Sequence, residues 1–263
     1  MSKFLKTFFL STATLLQVVS TEANSIDFLK PGHRVWIAPE FYQLNRHREG
    51  GSKQSGPMYG GRIGYDYIKR SNIYLGAQGL IASGHIKGNS NGTNLKSKFT
   101  DKMVEGRIGY TFQSKNWCQP YVTPFAGFGY FWESNHFEKP RDFRIHFDNQ
   151  FSYVPVGFLS EIFPWDQFSI GLNFTARVLI HGRIKTSNDP QYQNSRLLYQ
   201  HKLQYRVELP LSYYFCCMNN PWRITVEPFY EYRHYGSHIN HPFDFMDTKF
   251  NIYGVNVQFY LNY

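Results

Sequence analysis

Apolar and polar side chains alternate along most of this chain. That period of two is the mark of a strand with a different environment on each face. The stretch NVQFYLNY, from Asn256, shows it clearly. Tyr253, Val255, Val257, Phe259, Leu261 and Tyr263 share one face, while Asn256, Gln258 and Asn262 share the other. The alternation predicts strands over about 34–44, 57–69, 72–83, 99–112, 121–133, 151–163, 167–180, 198–215, 223–235 and 249–263. Eight of them form four hairpin units of similar pattern. Two of these units, beginning at Gly61 and Gly106, share GRIGY; the others begin at Val154 and Leu209. One strand before and one after bring the expected number to ten. Eight or twelve would result if a long connection hid a pair or two weak strands failed.

Short and long connections alternate. The short ones are Arg70-Ser71, 113–120, 164–166 and 216–222; the long ones are 45–56, 84–98, 134–150, 181–197 and 236–248. The long ones carry Gly, Asn, Ser, His, Lys and Arg, as in GHIKGNSNGTNLKSK. An even-numbered antiparallel meander, with short turns at one end and long polar loops at the other, predicts an all-β, up-and-down transmembrane β-barrel of the outer-membrane type. Every backbone group in hydrocarbon must be paired, so the last strand is expected to close on the first. The segment from Tyr253 to Tyr263 also resembles the C-terminal signature of bacterial outer-membrane β-barrels, an aromatic preceded by apolar residues at alternate positions. The resemblance implies a bacterial outer-membrane location and recognition of this segment by the barrel-assembly machinery. It points to no defined subfamily.

If the apolar set faces lipid, the intervening positions face the lumen. Those positions hold Arg34, Arg62, Arg107, Arg177, Arg206, Arg223 and Arg233, against Glu40, Asp66, Glu105, Glu161, Glu208, Glu227 and Glu231. Seven guanidinium groups against seven carboxylates suggest pairing, because the planar donor fork of Arg grips a carboxylate through two bonds. The lumen of so small a barrel can be filled by side chains. The expectation is a lumen closed by an Arg–carboxylate network, with a charge-lined channel for small solutes as the alternative.

Composition adds an address and a charge. Phe, Tyr and Trp make up 19% of the 263 residues and charged residues 18%, which suits alternating strands and not a bundle of apolar helices. Lys3 and Lys6, the short apolar run FFLSTATLLQVV over 8–19 and the small residues after it read as a secretory signal over 1–23, cleaved after Ala23, with Ser20 as the alternative. The barrel would then occupy 24–263. Losing Lys3, Lys6 and Glu22 takes the net charge from +9 to +8. With the lumen balanced, that excess is expected in the connections: Arg46, His47, Arg48 and Lys53, then His85, Lys87, Lys96 and Lys98, then His136, Lys139, Arg141, Arg144 and His146. Basic surface loops beside a phosphorylated outer leaflet suggest contact with outer-membrane lipid or lipopolysaccharide. A surface ligand is a second candidate partner, and nucleic acid is not expected.

Enzyme-like chemistry is sparse, and no enzyme activity, metal or cofactor is expected. His234 and Ser237 are the only pair resembling the base and nucleophile of barrel lipid hydrolases, but a spacing of three puts them on opposite faces of a strand. His238, His241 and Asp244 could join His234 around a metal, yet the spacing matches no defined site. Cys118, Cys216 and Cys217 fall in short connections. They are candidates for a disulfide, and their odd number suggests a link to another envelope protein. The leading expectation is a structural or surface-interaction barrel. A porin-like channel and a lipid-modifying enzyme are the alternatives.

Overall fold

The computed structural model describes residues 32–262, except 70, 115–119, 141–145, 166, 188–195, 199–203, 218–219 and 237–245. The expected signal over 1–23 lies outside the described residues. The first six strands are β1 (Gly32–Arg48), β2 (Ser52–Ile68), β3 (Asn72–Ser90), β4 (Thr93–Gln113), β5 (Tyr121–Lys139) and β6 (His146–Trp165). β7 runs in two pieces, Phe168–Gly171 and Asn173–Ser187, and β8 in three, Arg196–Leu198, Gln204–Glu208 and Leu211–Cys217. β9 (Asn220–Tyr235) and β10 (Thr248–Asn262) complete the ten crossings. The break in β8 falls at Pro210, which has no N–H to give the ladder. Its carbonyl still accepts from Gly171 N at 2.8 Å.

β1 pairs with β10 from Arg34 opposite Asn262 to Arg48 opposite Thr248, so the first and last strands close the sheet on itself. The closure is staggered. Stepping across partners from Tyr42 through Met58, Gly84, Phe99, Asn135 and Phe147 reaches Thr186 on β7. Stepping the other way, through Gly254, Phe229 and Glu208, reaches Asn173, thirteen residues away. One of the thirteen is Ile180, bulged out where Ser152 pairs with His181 and Tyr153 with Leu179. A stagger of this size tilts every strand against the barrel axis.

The outer wall carries an apolar belt between two aromatic rims. Ile37, Ile63, Ile81, Val104, Ile108, Phe128, Val156 and Val178 all stand exposed on it. One rim includes Phe41 against Tyr59 (ring centroids 5.9 Å), Tyr130 against Trp132 (4.4 Å), and Tyr230 against Tyr205 (6.0 Å) and Tyr253 (5.0 Å). The opposite rim includes His33 with Tyr65 and Tyr67, Tyr110 with Phe112, and Trp165 with Phe168. Rings with one apolar and one polar edge favour such boundaries.

Beyond the Phe41–Tyr59 rim the polarity of the wall inverts. The outward positions of β1 become Gln43, Asn45 and His47, while the inward ones become Tyr42 and Leu44. On β4, Lys96, Lys98, Thr100 and Lys102 point out while Phe99 and Met103 point in. The inward set merges into one core of Leu44, Met58, Ile86, Phe99, Phe131, Phe151, Tyr153, Ile184, Phe250 and their neighbours. The far half of the barrel is thus built like a water-soluble barrel, apolar inside and polar outside. The belted half is apolar outside and mostly charged inside, with two small inner clusters around Tyr74 and Phe125 and around Trp36 and Tyr260.

This inversion corrects the expected loops. The stretches 45–56 and 84–98 are not loops: strands continue to Arg48 and Ser90 and resume at Ser52 and Thr93. β5 likewise runs to Lys139, and β7 to Ser187. The hairpin at Asn91-Gly92 has positive φ at both residues, 48° and 85°. That is the two-residue turn whose twist matches the flanking strands, and Asn-Gly is its preferred sequence.

Candidate functional site: the barrel interior and outer wall

The belted half holds the charges. Alternation turns Arg34, Glu40, Arg62, Glu105, Glu161, Arg177, Arg206, Glu208, Arg223, Glu227, Glu231 and Arg233 inward, each less than a tenth exposed. Arg62 is paired with Glu40. Arg206 joins Glu208, Glu231 at 3.1 Å and Glu40 at 3.4 Å. Glu231 also accepts from Arg177 at 2.7 Å and from Arg233 at 2.6 Å. Separate pairs link Arg107 to Glu105 at 2.5 Å and Arg223 to Glu161 at 3.1 Å. Aromatic rings cover the guanidinium faces, with Arg206 3.5 Å above Phe229 and Arg233 4.5 Å above Phe131.

Two of the expected acids have neutral donors instead. Asp66 accepts from Trp36 Nε1 at 2.8 Å and from the Tyr74 hydroxyl at 2.7 Å. Glu227 accepts from Asn256 at 2.8 Å and Gln258 at 3.0 Å. Arg34 lines a polar cavity of about 70 Å³ with Arg62, Asp66, Arg107, Glu161, Glu208 and Arg223. That volume has room for several waters, at roughly 10–15 Å³ each.

Among the described residues, Asp101, Glu133 and Arg46 are inward charged residues that escaped the sequence reading. Asp101 accepts from Arg233 at 2.9 Å and from Tyr42 at 2.7 Å. Glu133 faces Arg233 at 3.5 Å and accepts from Tyr235 at 2.8 Å and Asn149 at 2.7 Å. Arg46 was expected in a basic loop. It is buried on β1 and donates to Gln54 at 2.7 Å. Parity alone could have found the acids: Glu105 and Arg107 were already inward on odd numbers, which puts Asp101 inside as well. Arg233 thus reaches from the belted-half network toward the apolar core, with three carboxylates around it.

The C-terminal face is as expected. Tyr253, Val255, Val257, Phe259 and Leu261 point away from the lumen, and Tyr263 lies outside the described residues. Cys118 also lies outside them. The backbone of Cys216 and Cys217 continues β8 opposite Pro221 and Asn220, so these two end a strand and do not sit in a free turn. Ser237, His238, His241 and Asp244 fall outside the described residues. His234 is engaged by Asp247, with oxygens at 2.7 and 2.8 Å.

Outside, above the aromatic rim, the wall is basic across β2–β4. Lys53, Lys87, Lys98 and Lys102 are all exposed on it. Lys96 differs from them. It is bound to Glu138 at 2.5 Å, and that hydrogen bond holds the Glu138 carboxyl below its ordinary pKa.

A family model described as outer membrane protein beta-barrel domain matches residues 19–207. Among solved structures, the outer membrane protease OmpT from Escherichia coli superposes with a TM-score of 0.53 at 12% identity, over 93% of this chain and 99% of its own. The translocator domain of the autotransporter NalP from Neisseria meningitidis gives 0.48 at 12% identity, over 100% and 98%. Ail from Yersinia pestis, solved with a heparin analogue, gives 0.38 at 12% identity, over 88% and 100%. No curated protein matches the sequence.

Proposed function

The chain belongs to the family of outer membrane protein β-barrel domains, and from that premise we propose that it works as a closed barrel whose task lies on its outer surface. It is a bacterial outer-membrane protein, and its interior is where a pore would have to run. One observation carries the proposal. Across the half beyond the belt, Leu44, Met58, Ile86, Phe99, Phe131, Phe151 and Phe250 fill the lumen and are at most 1% exposed. Phe131 and Phe151 stack at 5.0 Å. A passage for ions needs polar or hydrated lining throughout, and packed apolar side chains across the lumen are a barrier. The Arg–carboxylate network below it adds a second closure and holds the strands in register. We also propose Tyr253–Tyr263 as the segment that the barrel-assembly machinery reads.

The test is conductance in a planar bilayer with protein refolded without residues 1–23. A silent protein whose unboiled sample migrates as a folded species on a gel supports the closed barrel. Stable unitary steps from the same sample would replace it with the small-solute channel.

A further inference from the structure

On β3 the outward residues read, in order, Ala77, Gly79, Ile81, Ser83, His85 and Lys87. The series runs from small and apolar within the belt to cationic above the rim. Two recesses on the same strands follow it. The lower is a furrow of about 760 Å³ floored by Ala77, Gly79 and Gly106 and walled by Ile63, Val104 and Phe128. The upper, of about 520 Å³, lies between Tyr59 and the side chains of His85, Lys87 and Lys98.

The charges around the upper recess are only partly balanced by the protein: Glu138 takes His85 at 3.1 Å as well as Lys96. Lys87 and Lys98 have no hydrogen-bond or ion-pair partner among the described residues, and Lys53 lies just above on the same face. The register sets Lys87 opposite Lys96 and Lys98 opposite His85, and with Glu138 shared by Lys96 and His85 it is Lys87 and Lys98 that are left without a counter-charge among the described residues. Like charges directly across a ladder destabilise it unless an anion lies between them. A single carboxylate would leave most of this charge unmatched, whereas a phosphate brings up to two charges and three acceptor oxygens. The furrow below calls for a hydrocarbon chain, and the belt places both recesses against the membrane.

We propose that the outer wall of β2–β4 binds a phosphorylated membrane lipid, its headgroup phosphate between Lys87 and Lys98 and an acyl chain in the furrow over Gly79 and Gly106. The site is independent of whether the lumen conducts. It also moves the expected lipid contact from loops to the barrel wall.

The experiment uses the refolded protein in neutral detergent micelles, with three probes: a bisphosphorylated glycolipid, the same glycolipid with its phosphates removed, and inorganic phosphate. Native mass spectrometry reads the bound fraction. The bisphosphorylated lipid should bind at least about tenfold more tightly than the dephosphorylated one. The double variant K87Q/K98Q should lose that preference while keeping its folded gel mobility. G106F fills the furrow from a position where an added Cβ meets nothing within 4 Å. It should weaken the lipid and keep the fold. Equal binding of both lipids, or undiminished binding by K87Q/K98Q, would overturn the proposal. Inorganic phosphate binding as well as the lipid, with G106F unchanged, would also overturn it, in favour of a plain anion site.

Discussion

At the residue scale, Arg233 is the most consequential side chain. It is 2% exposed and meets Asp101, Glu133 and Glu231. Removing it leaves three buried carboxylates without their shared cation. The variant R233A should therefore lose about 3–5 kcal/mol of stability, the scale for breaking a buried pair. R107A should lose less, because Arg107 has one carboxylate partner, Glu105, and its side chain is 12% exposed. Urea titration of heat-modifiable gel mobility would rank the two, and equal losses would count against the shared-cation reading. The sequence made most of this network legible, because the parity of each strand turns its charges inward. It could not show that Asp66 and Glu227 would take neutral donors. Those partners, Trp36, Tyr74, Asn256 and Gln258, become neighbours only through the ring's register.

At the scale of the element, the number of strands was legible and their length was not. Alternation ends the first strand near Leu44, because beyond it the outward residues turn polar and the segment resembles a loop. The strand in fact continues to Arg48, with the apolar residues now on the inner side. The signal that could have revealed this was local: Asn91-Gly92, a hairpin turn in the middle of a supposed loop. Its left-handed backbone gives a prediction. Gly92 has φ of 85°, which costs a β-branched residue roughly 1–2 kcal/mol. G92V should open the tip between Lys87 and Lys96 to proteolysis while the rest of the barrel keeps its heat-modifiable mobility. If the tip stays resistant, the tight turn is not what holds it.

For the whole molecule, the inversion of the wall predicts two different responses to the same charge. Ile108 stands exposed within the belt, and Thr100 lies on the same strand and the same face above it. I108R should cost about 2–4 kcal/mol in lipid vesicles and T100R less than about 1 kcal/mol, the depth dependence of a lipid-facing charge. Unfolding titrations of the two variants in vesicles would check this, and similar costs would mean that the belt has been misplaced.

The same inversion divides the molecule calorimetrically. In a soluble protein, the heat-capacity increment of unfolding comes from dry apolar surface that becomes wet. Among the described residues most of such an interior lies in the far half, in the core around Phe99, Phe131, Phe151 and Phe250, with two smaller clusters around Tyr74 and Phe125 and around Trp36 and Tyr260 in the belted half. The apolar surface of the belted half lies against lipid in the folded state. As long as it stays in lipid or detergent when the strands come apart, it adds little to that increment. The temperature curvature of this barrel's stability is therefore set mainly by the half that stands clear of the hydrocarbon.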